Sequence, residues 1–256
     1  MAHSRALIGY TGFVGSNLAR ARPFTHLYNS RNIGEIDGMH FDEVVCAGVS
    51  AVKWLANKEP EADWAAIESL IGHLQRVAAD RFTLVSTVDV YGTPIAVDET
   101  HSPDTGALHP YGLHRLKLES LIAETFERHL VVRLPALFGV GLKKNAIFDL
   151  MNNNQTDRIG PNSQLQWYPM QRFADDLDLL LASGHSLINV TAEPISIREI
   201  HDRFFPGVPI GSPDLPAQHY DVRTIYDYLL GGTNGYHLNA EKVFDSLAKY
   251  LNAEQH

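Results

Sequence analysis

Three evenly spaced glycines follow directly on a short apolar run near the start of the chain, in the segment RALIGYTGFVGSNLARAR. The apolar run predicts a buried strand, and the periodicity after the glycines predicts a helix that ends at Pro23. Strand, glycine turn and helix in this order predict a phosphate-binding turn. Gly9 permits the tight turn, Gly12 lets a phosphate approach the backbone, and Gly15 lets the helix pack close to the strand.

The start of a helix offers free backbone N–H groups and the positive end of the helix dipole to a pyrophosphate. We therefore expect the turn to hold a dinucleotide. The alternative is a tight structural turn without a ligand. The residues expected to contact the dinucleotide here are Gly9, Thr11, Gly12, Phe13, Val14 and Gly15.

Strand-like and helix-like segments alternate through the first half of the chain. Apolar runs predict strands in THLYN, DEVVCAG, RFTLVST and LVVRL, and periodicity predicts long helices over residues 61–80 and 110–129. This alternation predicts an α/β fold with a doubly wound parallel sheet, the Rossmann fold. After Gly139 the pattern loosens, and residues 158–173 are expected to form a polar and aromatic loop.

Composition narrows the class of protein. The formal net charge is −9 and no run of Lys and Arg stands out, so nucleic acid and anionic membranes are not expected partners. The single cysteine, Cys46, excludes an internal disulfide and suits a reducing compartment. A strand-like run begins at Arg5, and no apolar stretch approaches the ~18 residues of a membrane span. We expect a cytoplasmic protein without a signal peptide.

Other catalytic motifs are missing from the sequence. The thirteen histidines are scattered and none stands in an HExxH or comparable pair, so no metal site is expected. No G-x-S-x-G segment marks a hydrolase.

Six segments in order resemble the extended short-chain dehydrogenase/reductases, also called the NAD(P)-dependent epimerase/dehydratase family. They are GYTGFVGSNL, FDEVVCAGVSA, LVSTVDVYG, YGLHRLKLE, VVRLPALFGVG and INVTAEPISIREI, and they span nearly the whole chain. The resemblance implies an NAD(P)-binding Rossmann domain over residues 1–138. It also implies a smaller substrate-binding lobe over residues 139–256, interleaved with the sheet.

The resemblance implies a catalytic centre built from Thr87, Tyr111 and Arg115. In the family, a Tyr exchanges a proton with the substrate, a Ser or Thr polarises the same substrate oxygen, and a Lys four residues after the Tyr lowers its pKa and holds the nicotinamide ribose. Arg115 stands at the Lys position, on the same helix face as Tyr111. An arginine stays charged but cannot release a proton, so the site is either altered or impaired.

The end of the second strand bears on the choice of cofactor. Asn29, Ser30 and Arg31 stand where an acid would bind the ribose hydroxyls of NAD. Without that acid, Ser30 and Arg31 are free to bind a 2′-phosphate, so NADP is expected and NAD is the alternative. Ala47 and Gly48, at the end of the next strand, are also expected at the cofactor. The interval before FDEVV is too short for the helix, strand and adenine-binding Asp usual in the family.

The implied substrate is a nucleotide-linked sugar, and the implied reaction is hydride transfer by a ketosugar reductase or an epimerase. The rival interpretation is a dinucleotide-binding sensor or scaffold that kept the fold and lost turnover. A homodimer through the helices over residues 61–80 and 110–129 is left open. The residues expected to contact substrate are Ser86, Asn145, Gln166, Trp167, Tyr168 and Arg172.

Overall fold

The computed structural model describes residues 3–254 and divides into two compact units. Unit 1 comprises residues 3–93, His101–Leu134 and Ala174–Ile188, and unit 2 comprises Pro94–Thr100, Pro135–Phe173 and residues 189–254. The chain therefore passes from one unit to the other several times. The single boundary at residue 138, and a substrate-binding role for the later residues, stay predictions.

The strands and helices are numbered in chain order. The strands are β1 Arg5–Ile8, β2 His26–Tyr28, β3 His40–Phe41, β4 Glu43–Cys46, β5 Ala78–Ala79, β6 Phe82–Thr87, β7 Ile95–Val97, β8 His129–Leu134, β9 Ala136–Phe138, β10 Gln164–Leu165, β11 Trp167–Pro169, β12 Leu187–Asn189, β13 Ile195–Ser196 and β14 Asp221–Val222. The helices are α1 Phe13–Ala21, α2 Lys53–Lys58, α3 Pro60–Leu74, α4 Pro110–Thr125, α5 Ala146–Asn152, α6 Phe173–Ala182, α7 Ile197–Phe204 and α8 Ala240–Glu254.

A six-stranded sheet in the order β12-β8-β6-β4-β1-β2 forms the centre of unit 1. The pairs β1/β2, β1/β4, β4/β6 and β6/β8 all run parallel, so their carboxyl ends lie along one edge. The strand order reverses direction at β1, which is the position where doubly wound sheets bind ligands. The predicted fold class is confirmed.

Both faces of the sheet are buried, as expected for parallel strands. On one face, alternate residues such as Ile8, Val44 and Leu84 belong to a core cluster that also includes Ile67 of α3 and Leu118 of α4. The intervening residues Leu7, Val45 and Val132 are buried as well. The continuous apolar runs in the sequence therefore reflect burial on two sides.

Strand β2 forms one edge of this sheet, with β1 as its neighbour. The side chain of Asn32 covers part of this edge, because its Nδ2 donates to the Leu27 carbonyl at 3.0 Å and its Oδ1 accepts from the Asn29 N–H at 2.8 Å. A short 3-10 turn over Ile33–Ile36 then leads to β3. The short interval between β2 and β3 is thus occupied by the backbone contacts of the Asn32 side chain and by this 3-10 turn.

Tertiary pairing overrides the sequence expectation in three segments. The helix expected over residues 61–80 ends at Leu74, because the Ala78 N–H donates to the Met39 carbonyl and β5 pairs with β3. Residues 158–173 contain β10 and β11, which pair with β13 and β9, in place of the expected loop. Helix α2 was not predicted at all, because its six residues are too few to establish a period.

Within residues 3–254, no helix combines the length and apolar character needed to cross a bilayer.

A buried charge network ties α4 to β8 and β6. The Glu119 carboxylate accepts from Arg133 Nη2 at 2.6 Å and from the Ser86 hydroxyl at 2.5 Å. Arg133 Nη1 donates to the Tyr91 hydroxyl at 2.8 Å. Burial alone would lower the pKa of Arg133, but its bonds to Glu119 and Tyr91 outweigh burial and raise the pKa. The network holds α4 against the strand that carries Thr87.

Replacing Glu119 by Ala leaves the Arg133 guanidinium buried without its carboxylate. We expect this substitution to lower the free energy of unfolding by about 3–5 kcal/mol, measured by urea denaturation. Glu124→Ala, an exposed change on the same helix, serves as the control and should cost no more than about 0.5 kcal/mol. Equal losses for the two variants would contradict a stabilising role for this network.

Candidate active site

The glycine turn is packed so closely that two of its glycines admit no side chain. Gly9 has a φ of +86°, and a Cβ there would lie 2.4 Å from the Ala47 carbonyl oxygen. A Cβ on Gly15 would lie 2.1 Å from the Gly9 carbonyl oxygen. A Cβ on Gly12 would meet only that same oxygen at 3.3 Å and the Ala47 oxygen at 3.9 Å. Protein contacts therefore account for Gly9 and Gly15, whereas Gly12 faces an open approach to the backbone.

The first turn of α1 is suited to an anion. Gly12 is its N-cap and makes no side-chain capping bond, and no acidic residue lies in the first turn. Free N–H groups and the helix dipole both favour negative charge at such a position. The predicted contacts of Thr11, Phe13 and Val14 with a pyrophosphate stay predictions, and this geometry is compatible with them.

The end of β2 lies beside the glycine turn, because the Gly9 N–H donates to the Tyr28 carbonyl at 2.7 Å. The Asn29 amide is already occupied: its Nδ2 donates to the Tyr10 hydroxyl at 3.2 Å and its Oδ1 accepts from the Arg31 N–H at 2.8 Å. Ser30 and Arg31 have exposed side chains. Of the three residues predicted here, Ser30 and Arg31 are the ones with side chains available to a ligand.

Thr87 and Tyr111 meet at the carboxyl edge of the sheet. Thr87 is the last residue of β6, and its side chain lies close enough to the Tyr111 phenol to lower the pKa of that group. Gly112 makes the contact possible, because a Cβ on it would lie 2.2 Å from the Asp89 carbonyl oxygen. The start of α4 is fixed further by the Tyr111 N–H, which donates to Asn57 Oδ1 of α2 at 3.0 Å.

Arg115 lies under the Tyr111 ring but is committed to protein groups. Its guanidinium carbon is 4.0 Å from the ring centroid. Nη1 donates to Asp63 Oδ2 at 2.5 Å and to the Tyr111 carbonyl at 3.2 Å, and Nη2 donates to Asp63 Oδ1 at 2.9 Å and to the Ser50 carbonyl at 2.6 Å. These four bonds equal the number of hydrogens on the two nitrogens. The expected contact of Arg115 with a ribose therefore has no support from its terminal nitrogens in this geometry.

Asp63 on α3 is the partner that sequence reasoning missed. Its carboxylate is 8% exposed and also accepts from His114 Nδ1 at 2.8 Å. Burial alone would raise the pKa of Asp63, but the bonds from Arg115 and His114 outweigh it and hold the pKa below its usual value. The signal was present in the sequence. Asp63 stands four residues before Ile67 on the buried face of a helix, where a carboxylate requires a cationic partner.

The pKa of the Tyr111 phenol differs from the value expected from the sequence. Burial raises its pKa to about 12, although the Arg115 charge and the neighbouring Thr87 hydroxyl each act to lower it. The nearby carboxylates of Asp89 and Asp63 add to the increase. The expectation that Arg115 gives Tyr111 a lowered pKa is therefore not met, because burial and two carboxylates outweigh one paired cation.

Three further polar residues surround this pair. Lys53 Nζ lies 2.7 Å from Asp89 Oδ1, which joins the start of α2 to the segment after Thr87. His109 caps α4 by accepting the Gly112 N–H on Nδ1 at 3.1 Å. Burial, together with the Lys53 charge, lowers the pKa of His109. None of the three was predicted, since lone charged residues in loops carry no pattern.

Ser86 is directed away from Thr87. Its hydroxyl donates to Glu119 within the buried network described above. Neighbouring residues on a strand point to opposite faces, so Ser86 and Thr87 cannot share one ligand pocket through their side chains. The predicted contact of Ser86 with substrate therefore finds no support in this geometry.

The predicted substrate residues of unit 2 are used in its own packing. Gln166 donates from Nε2 to the Ala192 and Val222 carbonyls, and its Oε1 accepts from the Val222 N–H at 2.8 Å. Trp167 and Tyr168 are at most 1% exposed. These three residues form core contacts, which departs from the expected substrate contact. The reason is the pairing of β11 with β9, which places the segment inside the unit.

Asn145 and Arg172 differ from those three. Asn145 has a φ of +136°, a conformation that costs energy for any residue with a side chain. Its amide caps α5 through the Phe148 N–H at 3.1 Å and donates to the Leu137 carbonyl at 2.8 Å. Arg172 is half-buried at the end of a 3-10 turn. Their contact with substrate stays a prediction.

Within residues 3–254, no group of three or more His, Cys, Asp or Glu side chains is arranged to hold a metal ion.

The fold is shared with solved proteins whose names or bound ligands include nucleotide sugars. The dTDP-4-dehydrorhamnose reductase from Bacillus anthracis str. Ames, in complex with NADP, matches with a TM-score of 0.77 at 14% identity over 99% of each chain. The UDP-N-acetylglucosamine 4-epimerase from Methanobrevibacter ruminantium M1, in complex with UDP-N-acetylmuramic acid, matches with a TM-score of 0.74 at 14% identity over 99% of each chain. MoeE5, in complex with UDP-glucose and NAD, matches with a TM-score of 0.73 at 17% identity over 98% of each chain.

These similarities bear on the fold, since all three identities are low. No protein-family model and no curated protein matches the sequence. The three structural matches confirm, over the length of the chain, the fold that the six sequence segments implied.

The glycine turn separates a packing role from a ligand role. Gly15→Ala should lower the free energy of unfolding by about 1–3 kcal/mol, because its Cβ would overlap the Gly9 carbonyl. Gly12→Ala should leave that free energy within about 1 kcal/mol of wild type but weaken binding of NADPH, since the methyl group obstructs a phosphate. Urea denaturation and calorimetry on both variants distinguish the roles. Unchanged NADPH affinity in Gly12→Ala would contradict a phosphate at this turn.

Proposed function

We propose that this protein is an NAD(P)-dependent oxidoreductase of the extended short-chain dehydrogenase/reductase type, acting on a nucleotide-linked sugar. The observation that carries the proposal is the joint position of the glycine turn and the Thr87–Tyr111 pair. Both lie at the carboxyl edge of one parallel sheet, within one compact unit. A dinucleotide whose pyrophosphate binds at α1 is long enough to extend along this edge towards the phenol.

Different residues would hold different parts of the cofactor. The amides at the start of α1 bind the pyrophosphate, and Ala47 and Gly48, packed against Gly9, border the turn. When bound, a nicotinamide supplies or accepts a hydride at a substrate carbon. The phenol of Tyr111 transfers a proton at the substrate oxygen, and the Thr87 hydroxyl orients the phenol and polarises that oxygen.

The cofactor preferred here is NADP(H). Ser30 and Arg31 are exposed beside the glycine turn, whereas no carboxylate directly follows β2. Asp37, an acid further along, is engaged instead by Arg76 at 2.7 Å and by His73 at 2.8 Å. The solved structures of the same fold include complexes with NADP and with NAD, so both cofactors suit this architecture.

The proposed substrate is a nucleoside-diphosphate sugar, with a ketosugar reductase favoured over an epimerase. The support is the set of similar folds, whose solved complexes contain UDP-glucose and UDP-N-acetylmuramic acid. A cytoplasmic location and a homodimer through α3 and α4 complete the proposal. The location rests on the single buried thiol, Cys46, which needs no oxidising compartment.

A second candidate is a dinucleotide-binding sensor without turnover. The commitment of Arg115 to Asp63 and Ser50 favours it, because the ribose contact expected at that helix position is then lost. Tight NADPH binding without turnover on any nucleotide-linked ketosugar would select the sensor.

Tyr111→Phe removes only the phenol oxygen. We expect kcat to fall about 10²–10⁴-fold, the contribution of general acid catalysis, while the Kd for NADPH changes less than about threefold. Absorbance of the reduced nicotinamide with a panel of nucleotide-linked ketosugars measures the first quantity, and calorimetry measures the second. Wild-type turnover that survives Tyr111→Phe would refute the assigned role.

Arg31→Ala tests the choice of cofactor. Loss of a charge-assisted bond to a 2′-phosphate should weaken NADPH binding about tenfold or more and leave NADH binding unchanged. Arg20→Ala, on α1, is the matched control and should affect the two cofactors equally. Tighter binding of NADH than of NADPH by the wild type would overturn the preference.

A further inference from the structure

We propose that Asp63 is a positioning residue that holds the Arg115 guanidinium on the Tyr111 ring and opposes its charge, which makes Tyr111 a proton donor to a substrate carbonyl rather than a base towards a substrate hydroxyl. This inference deepens the proposed function and rests on it. The charges around the Tyr111 phenol favour reduction of a substrate carbonyl over oxidation of a substrate hydroxyl.

The geometry leaves Arg115 little freedom. Its bidentate pair with Asp63 fixes the plane of the guanidinium, and the Ser50 and Tyr111 carbonyls occupy the remaining hydrogens of its terminal nitrogens. His114 binds the other side of the same carboxylate at 2.8 Å. Because a carboxylate only accepts hydrogen bonds, His114 must carry its proton on Nδ1. Asp63 thus joins α3 to two residues of α4.

The charges facing the phenol come from every neighbouring element. Arg115 of α4 is positive, and Asp63 of α3 is negative and bound to it. Asp89, after β6, is negative and is paired with Lys53 of α2 at 2.7 Å. His109, before α4, has a ring 6.2 Å from that of Tyr111, and burial lowers its pKa, so it is neutral at physiological pH. The two carboxylates near the phenol are thus each paired with a cation, Asp63 with Arg115 and Asp89 with Lys53, so no uncompensated cation stabilises a phenolate.

A phenol in this environment gives up its proton only to a strong acceptor. Consistent with the geometry, burial raises its pKa to about 12. In the reductive direction, the carbonyl carbon gains a hydride from a reduced nicotinamide while the carbonyl oxygen takes the Tyr111 proton. The C=O double bond becomes a C–O single bond, the nicotinamide is oxidised, and the phenolate left behind is reprotonated from water. In the reverse direction Tyr111 must first be ionised, which is rare at neutral pH.

The test follows the ionisation of Tyr111 directly, without substrate or cofactor. Tyrosine labelled with ¹³C at Cζ reports phenolate by NMR, and the Tyr111 signal among the ten tyrosines is the one lost in Tyr111→Phe. In the wild type this signal should stay protonated up to pH ~10. In Asp63→Asn the Arg115 charge is no longer opposed by a carboxylate, so the ionised fraction at pH ~10 should rise about tenfold or more, which is one pKa unit or more.

Glu119→Gln is the matched control, because it alters an equally buried arginine–carboxylate pair on the same helix that makes no contact with Tyr111. It should leave the Tyr111 titration unchanged. An Asp63→Asn protein that is folded but titrates like the wild type would overturn the proposal. If Asp63→Asn does not fold, the wild type still decides, because ionisation of Tyr111 below pH ~9 also overturns it.

The direction of the reaction gives an independent readout. For the wild type, the rate of ketone reduction should be nearly independent of pH between about 6 and 9, whereas the rate of alcohol oxidation should rise about tenfold per pH unit. An oxidation rate that reaches a plateau near neutral pH contradicts the inference but leaves the oxidoreductase assignment intact. Absence of turnover with every nucleotide-linked sugar, together with an unionised Tyr111, instead removes the proposed function and retains the role of Asp63.

Discussion

The backbone of Gly9 is the point on which this structure depends. The end of β1, the start of α1 and the end of β4 all approach it without an intervening side chain, at distances that a single Cβ would violate. This contact directs the first turn of α1 towards the carboxyl edge of the sheet. A helix start suited to an anion and the carboxyl ends of five parallel strands consequently lie along the same edge.

A second close approach, at Gly112, brings Tyr111 to that edge. Because α4 begins against the Asp89 carbonyl, the Tyr111 phenol reaches the Thr87 hydroxyl at the end of β6. The ion pair between Asp63 and Arg115 then fixes the Arg115 guanidinium beneath the Tyr111 ring. Backbone contacts between glycines and carbonyls set the position of Tyr111, whereas burial and paired charges set the protonation of its phenol.

Most strands of the central sheet could be predicted from the sequence. β1, β4, β6 and β8 are continuous apolar runs because both of their faces are buried, and their alternation with α1, α3 and α4 leaves a parallel sheet as the natural arrangement. The short strands β10 and β11 were not readable, because two or three residues carry no period and their pairing is set by distant partners.

The candidate site was readable in part. Thr87 and Tyr111 were expected from the resemblance to the family, and the structure brings their side chains together. The pairing of Arg115 with Asp63 could not be predicted, because Asp63 lies 52 residues away and only tertiary packing joins the two side chains. Gln166 illustrates the opposite error. Amide and aromatic residues in a polar segment suggested a ligand surface, but the amide is consumed by the backbone of Ala192 and Val222.

The claim on which the whole account rests is that the helix start beside Gly12 holds a pyridine dinucleotide whose nicotinamide lies at Tyr111. Fluorescence energy transfer from the protein to reduced nicotinamide, recorded together with the heat of binding, measures both occupancy and site. The account predicts one saturable NADPH site per chain, with an affinity that Gly12→Ala weakens. Folded protein that gives neither heat nor energy transfer with NADPH or NADH would contradict it.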